Sequence, residues 1–311
     1  MAQGELDLIT IIGPTASGKT TRAVWLAREM NAEIISGDSR QVYKGMTIGT
    51  GKDLEEYGDV PYHLIDIRDA GYKYNLHEYI TDFNAALADI KGRGRKAILC
   101  GGTGMYVENA LSGIRLPQVL ENSSLRKELQ KYTLEELTSM LAGMKTLHNV
   151  TDVDTKARAV RALEIAYYYK DHPEAEDMAS RKSAKPLDTL IIGIDISREA
   201  RRDRISRRLR KRLEEGMIDE VQSLLDSGIE PEALIYYGLE YKYVTLYLTG
   251  KMSLHEMTTS LETAIHQFAK RQMTWFRGME RRGWRIHWLP HTLTEEEFLQ
   301  AVKQLVIERN R

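Results

Sequence analysis

A strand-like run, Leu6–Ile12, leads straight into Gly13-Pro14-Thr15-Ala16-Ser17-Gly18-Lys19-Thr20, and a helix-like run follows at once. This is the full G-x-x-x-x-G-K-[ST] pattern in the strand–loop–helix context that the pattern requires. The glycines let successive backbone N–H groups converge on phosphate oxygens, and the helix N-terminus adds its positive dipole end. Lys19 supplies a point charge, and Thr20 a hydroxyl for Mg2+. A chain that opens this way is committed to an α/β sheet with a phosphate at one strand end. The motif specifies the phosphate and leaves the reaction open.

The rest of the first 115 residues keeps the alternation. AEIISG (residues 32–37), YHLIDI (residues 62–67) and KAILCGG (residues 96–102) read as short buried strands. Between them, Tyr79, Phe83, Leu87 and Ile90 fall on one helical face with a glycine stop beyond. Such alternation implies a P-loop NTPase-like, mainly parallel sheet flanked by helices, with ligands beyond the carboxyl ends of the strands. GPTASGKT, GDSRQ and GGTG stand at three such ends.

Strand signals then vanish from about Pro117 to Lys185, where two helices are expected, one over SLRKELQKYTLEELTSMLAGM and one over TDVDTKARAVRALEIAYYYKD. LDTLIIGIDI restores a strand. A basic helix from Arg198 is expected to continue through MIDEVQSLLDSG, followed by one tyrosine-rich helix. The last long helix carries Leu261, Ile265, Phe268 and Trp275 on an apolar face; the strand WRIHWL and an amphipathic helix close the chain. The expected organisation is a P-loop α/β core over residues 1–116, a helical insertion over 117–185, and core completion with the basic and C-terminal helices over 186–311.

Cys100 is the single cysteine, which excludes an intramolecular disulfide and a thiolate zinc site. The histidines show no metal-ligand spacing, and His63 in PYHLID reads as a core histidine. No stretch approaches the roughly 18 apolar residues of a membrane span. The N-terminus lacks the basic region and cleavage site of a signal peptide. A cytoplasmic protein with no membrane partner is expected, and a monomer.

Asp38 is the carboxylate that EIISGD delivers to a strand end, placed to hold metal-bound water, to act as a general base or simply to form a turn. Asp66 is a second, more structural candidate. Thr103 in GGTG offers a hydroxyl beside glycines that allow close approach. Between Arg198 and Arg212 nine Arg or Lys residues face only Glu199 and Asp203. Arg201, Arg204, Arg208 and Lys211 are assigned to one face, which could be solvated, clamp a pyrophosphate or track a nucleic-acid backbone. AKRQMTWFRGMERR (residues 269–282) mixes cations with Trp275 and Phe276, either as base-stacking groups or as core aromatics.

GPTASGKT, EIISGDSRQVYKGMTIGTGK, PYHLIDIRD, GGTGMYVENALSG, RALEI, EEGMIDEV and AKRQMTWFR occur in that order. Together they resemble the tRNA dimethylallyltransferases (tRNA isopentenyltransferases) along nearly the whole chain. The resemblance implies that the loop holds the diphosphate of dimethylallyl diphosphate, with Mg2+, while the prenyl group moves to N6 of adenine 37 in the tRNA anticodon stem-loop. The tRNAs are those reading codons that begin with U. Gly13, Thr15, Ala16, Ser17, Gly18, Lys19 and Thr20 are then the diphosphate site, with Thr20 on the metal and Asp38 near it through water. Asp38 becomes the general base, Arg208 the catalytic arginine with Arg204 as the fallback, and Thr20 a third catalytic group. Ser39, Arg40, Gln41, Thr103, Arg158, Arg161, Tyr241 and Lys242 become tRNA-binding residues.

Three segments depart from the family pattern. QVLENSS replaces an acidic-proline stretch after Leu116-Pro117, NVTDVDTKARAV replaces His-Pro-Asn-Asp, and Glu240-Tyr241-Lys242 has lost the glycine of a Gly-Tyr-Lys/Arg motif. The competing expectations are an adenylate isopentenyltransferase using free AMP, ADP or ATP, a P-loop small-molecule kinase, and a paralogue that only binds RNA.

Overall fold

The structure is a computed structural model that describes residues 6–145, 153–179 and 185–309. The chain divides into two compact units, Ser112–Pro186 and the remainder. The larger unit holds β1 (Leu8–Ile12), α1 (Lys19–Met30), β2 (Ala32–Ser36), β3 (Tyr62–His63), α2 (Leu76–Gly92), β4 (Lys96–Gly101) and most of α3 (Gly104–Ser112). The smaller unit holds α4 (Ser123–Leu129), α5 (Leu134–Met144), α6 (Lys156–Asp171) and α7 (Pro173–Ala179). The larger unit resumes with β5 (Thr189–Asp195), α8 (Arg198–Glu214), α9 (Met217–Asp226), α10 (Pro231–Tyr236), α11 (Leu239–Leu248), α12 (Leu254–Arg281), β6 (Ile286–Pro290) and α13 (Glu295–Arg309).

The six strands form one sheet in the order β3-β2-β4-β1-β5-β6, and every pair is parallel. The chain builds one side of β1 with β2, β3 and β4 and the other with β5 and β6. The order therefore reverses at β1, and a crevice opens at its carboxyl end. Alternate residues define the two faces. Ile9, Ile11, Ile34, Ile98, Leu190, Ile192 and Ile194 pack with Val24 and Leu26 of α1 and Phe298 and Val302 of α13. That buried layer makes α1, and with it the glycine loop, a rigid extension of the sheet.

In the smaller unit Leu137, Leu141, Ala159, Val160 and Leu163 form a separate core. The first expected helix there is two, α4 and α5, because the Thr133 side chain caps a new start with Glu136. Part of the departing segment NVTDVDTKARAV lies outside the described residues. Two other expected continuous helices are also broken. Gly216 (φ 96°) separates α8 from α9, and Gly238 (φ 140°) separates α10 from α11. Both φ values lie where a side chain is strained, so each glycine turns the chain. The strand expected over YHLIDI shrinks to Tyr62–His63. Asp66 instead pairs with the buried ammonium of Lys52.

At the amino end of β2, remote from the glycine loop, the buried Glu33 carboxylate accepts hydrogen bonds from Arg93 and His63. The Arg93 bonds hold its pKa down at about 2, against burial. A carboxyl lowered on folding stabilises the fold above its unfolded value of 4.5, and that contribution is lost as pH falls toward 2. Thermal melts of the Glu33→Gln variant are therefore expected to lie below those of the unaltered protein at pH 7 and to converge with them in strong acid. Parallel curves at all pH values would remove Glu33 from the acid limb.

Candidate active site

The glycine loop bends through Ala16 (φ 61°) and Gly18 (φ 81°) on either side of Ser17. Alternating backbone conformations of this kind turn successive N–H groups inward as an anion nest. Lys19 and Thr20 begin α1 and face the same hollow. The Lys19 ammonium is held below its ordinary pKa by burial, with Cys100 and Asp38 pulling the other way. The Ser17 hydroxyl is buried without a hydrogen-bond partner.

The ends of β2 and β4 are drawn together because neither carries a side chain at the crossing. A Cβ on Gly101 would stand 2.4 Å from the Gly37 carbonyl oxygen. Asp38 follows at once; its Oδ1 accepts the Arg40 N–H at 2.9 Å, so it both forms the turn and lines the hollow. The Ser39 N–H donates to Thr103 Oγ1 at 3.1 Å, and the Thr103 hydroxyl donates to Ser39 Oγ at 3.4 Å. Gln41 is engaged at both ends of its amide: Oε1 accepts from Ser36 Oγ at 2.8 Å and Nε2 donates to the Gly51 carbonyl at 3.1 Å. It thereby braces the loop while lining the hollow.

From α12, Gln272 reaches across the hollow. Its Oε1 accepts the Thr15 N–H at 2.8 Å and its Nε2 donates to the Gly102 carbonyl at 2.9 Å. It thus ties the glycine loop to GGTG and takes the Thr15 N–H away from any ligand. The apolar face expected on this helix is split. Leu261 and Ile265 are buried, whereas Phe268 and Trp275 are 37% and 39% exposed and line the hollow; Phe276 is the core aromatic. Trp275 is fixed by its Nε1–H donating to buried Glu108 at 2.9 Å, and it packs where a Cβ on Gly104 would stand 2.3 Å from the ring.

The basic helix α8 presents Arg204, Arg207, Arg208 and Arg212. The assigned face was slightly rotated: Ile205 and Leu209 are buried and carry Arg212 inward, while Lys211 is exposed and pairs with Glu215. Arg208 donates to Asp53 at 2.9 Å. On the far side, Glu220 of α9 accepts the N–H groups of Thr47, Ile48 and Gly49, and the Tyr241 hydroxyl donates to it at 2.6 Å. Tyr241 is 1% exposed, so it positions this loop and does not present an open surface.

These elements enclose a cavity of about 680 Å³. One wall is cationic, from Lys19 and the α8 arginines; another carries Asp38; a third is apolar, from Met105, Phe268 and Trp275. Arg40 stands at its margin with its guanidinium 5.3 Å from the Tyr236 ring, and Lys242 lies over Tyr243. In the smaller unit Arg158 is exposed and pairs with Asp154. The Arg161 guanidinium donates to buried Glu164 and to the Val119 carbonyl.

No group of three or more His, Cys, Asp or Glu that could hold a metal occurs among the described residues. Mg2+ needs no such cage: it takes one or two protein oxygens and completes its octahedron from phosphate and water. Thr20 and Asp38, both on the cavity wall, fit that requirement.

Gln272→Ala removes two hydrogen bonds that join two loops. A loss of about 1–3 kcal/mol in unfolding free energy is expected, the usual result of leaving such groups unmet. Urea unfolding measures it, and an unchanged midpoint would mean that other contacts hold the loops.

Residues 41–279 match the IPP transferase family, and residues 6–58 the isopentenyl transferase family. The chain is 58% identical to tRNA dimethylallyltransferase 2 of Bacteroides fragilis, over 99% of this chain and 100% of the relative. Its fold is similar to that of the full-length tRNA isopentenylpyrophosphate transferase of Bacillus halodurans, with 31% identity, a TM-score of 0.72, and 98% and 97% of the two chains covered. A eukaryotic dimethylallyltransferase solved acting on tRNA gives 26% identity and a TM-score of 0.78 over 96% of this chain and 77% of that one. A family model over most of the chain and a relative this similar along its whole length show that the chain belongs to the IPP transferase family, that of the tRNA dimethylallyltransferases.

Proposed function

We propose that this protein transfers the dimethylallyl group of dimethylallyl diphosphate to N6 of adenine 37 in the anticodon loop of tRNAs reading codons that begin with U, releasing diphosphate. The observation that carries this reading is the three-walled cavity. A cationic wall suits a diphosphate leaving group, an apolar wall suits a prenyl chain or a flipped base, and a carboxylate stands beside both.

The adenine N6 is a poor nucleophile because its lone pair is delocalised into the ring. Asp38 takes the N6 proton as the new C–N bond forms. The allylic C–O bond breaks with positive charge developing on carbon and negative charge on diphosphate. The loop N–H groups, Lys19 and Arg208 stabilise that negative charge where it develops. The buried Ser17 hydroxyl packs beside Gly13 within the loop. Thr20 would hold Mg2+, with Asp38 near it through water and so still free to act as base, and the ion would help to neutralise the diphosphate. Met105, Phe268 and Trp275 exclude water from the reacting carbon, and extrusion of the base costs a few kcal/mol that stacking against such a wall offsets. Ser39 and Thr103, bonded to each other, fix the two strand ends at which the acceptor arrives.

The test uses labelled dimethylallyl diphosphate, Mg2+ and three acceptors: unmodified tRNA with A36-A37, the same tRNA with G37, and free AMP. Label is expected in the first alone. Label in AMP would make the acceptor a free nucleotide, and label in none would overturn the reading.

A further inference from the structure

Arg208 and Arg212 lie one helical turn apart on α8 and converge over Gly51. A Cβ there would stand 2.1 Å from Arg208 Nη2 and 1.7 Å from Arg212 Nη2. Two guanidinium groups this close repel, and their balancing charges are few. Arg208 holds Asp53 at 2.9 Å. Arg212 reaches the same Asp53 oxygen only at 3.8 Å and Glu240 Oε1 at 3.9 Å, both beyond hydrogen-bond length. Its side chain is 9% exposed, and Nη2 has no hydrogen-bond partner. A buried cationic donor left unmet is unfavourable unless a ligand meets it. Arg212 lines the main cavity with Lys19 and Arg208, and a small, partly apolar recess shared with Thr15, Ala16 and Glu240 brings its side chain beside the glycine loop.

We propose that Arg212 is a second diphosphate-binding arginine, and that Glu240 with Asp53 is its loose counter-charge in the free protein, displaced when diphosphate arrives. The inference rests on the reading that this cavity takes diphosphate. Diphosphate outcompetes the two carboxylates because it offers more charge and more acceptor oxygens within reach of a planar fork. Burial and the neighbouring Arg208 lower the Arg212 pKa to about 10, which leaves it charged at neutral pH, and burial raises that of Glu240. Both directions are those of a strained charge pair.

Calorimetric titration with inorganic diphosphate and Mg2+ tests it on the full chain and on Lys19→Ala, Arg212→Met, Glu240→Gln and the Arg212→Met/Glu240→Gln double variant. Arg212→Met is expected to weaken binding by about tenfold or more, and Glu240→Gln to tighten it several-fold, an opposite sign that a merely structural pair would not give. In the Arg212→Met background, Glu240→Gln is expected to change affinity by less than about twofold, because the charge it released is gone. The double variant removes both charges together and so separates loss of fold from loss of binding. Binding by Arg212→Met that matches the unaltered protein, while Lys19→Ala has lost it, would overturn the assignment of Arg212 and leave the diphosphate reading standing. No binding by the unaltered protein would overturn both.

Discussion

Replacing Asp38 with alanine is expected to lower kcat for prenyl transfer by about 10²-fold or more, the usual scale for loss of a general base, with tRNA affinity nearly unchanged. The argument is positional. Asp38 follows β2 at the carboxyl edge of the sheet, on the wall of the cavity that Lys19 and Arg208 also line. It has a second occupation, since Oδ1 accepts the Arg40 N–H. A drop in the alanine variant alone could therefore come from a lost turn. Asp38→Asn keeps an oxygen for Arg40 and loses only the capacity to take a proton. Both variants are expected to fall together in single-turnover rates. Near-normal rates in the asparagine variant would make the turn the whole contribution of Asp38 and would place the base elsewhere.

How far the sequence reached is clearest where a residue type has one physical use. The glycine loop, the strand-end aspartate and the parallel α/β order follow from patterns that few other structures satisfy, and the sheet is parallel throughout. The phase of the basic helix was different. Nine cations in fifteen positions populate every side of a helix, so the wheel does not say which side is inward. Ile205 and Leu209, buried in the structure, decide it and bring in Arg212 in place of Lys211. Gln272 belongs to AKRQMTWFR, yet nothing local indicates that its amide spans two loops 170 and 257 residues away. Glu220 is likewise an ordinary helix acid until the N–H groups of residues 47–49 are seen to point at it. Glu240 was legible as a departure, the acid standing where the family motif has glycine. Only the structure shows that it faces Arg212. These are long-range pairings, which periodicity does not encode.

Lys19→Ala is expected to lower kcat/KM for dimethylallyl diphosphate by about 10²–10³-fold, the scale seen when one donor to a developing anion is removed. The Lys19 Nζ is close to the GGTG turn: a Cβ on Gly102 would stand 3.4 Å from it. That approach places the charge between the ends of β1 and β4, where the departing diphosphate would lie. If the ammonium acts mainly on charge that develops as the C–O bond breaks, kcat and kcat/KM fall together; if it only holds the donor, KM rises alone. The first pattern is expected. Burial adds a pH signature, because it lowers the Lys19 pKa from 10.5. The charged form is the one that serves a diphosphate, so donor use by the unaltered protein should decline as pH rises, at a lower pH than an ordinary lysine would set. That alkaline limb should be absent from the alanine variant, which has no proton to lose there. Lys19→Arg tests the same crowding from the other side. A guanidinium is bulkier than an ammonium, and the turn at Gly102 leaves it little room, so charge alone should not restore the rate. Donor kinetics unchanged by Lys19→Ala would mean that the glycine loop holds some other ligand.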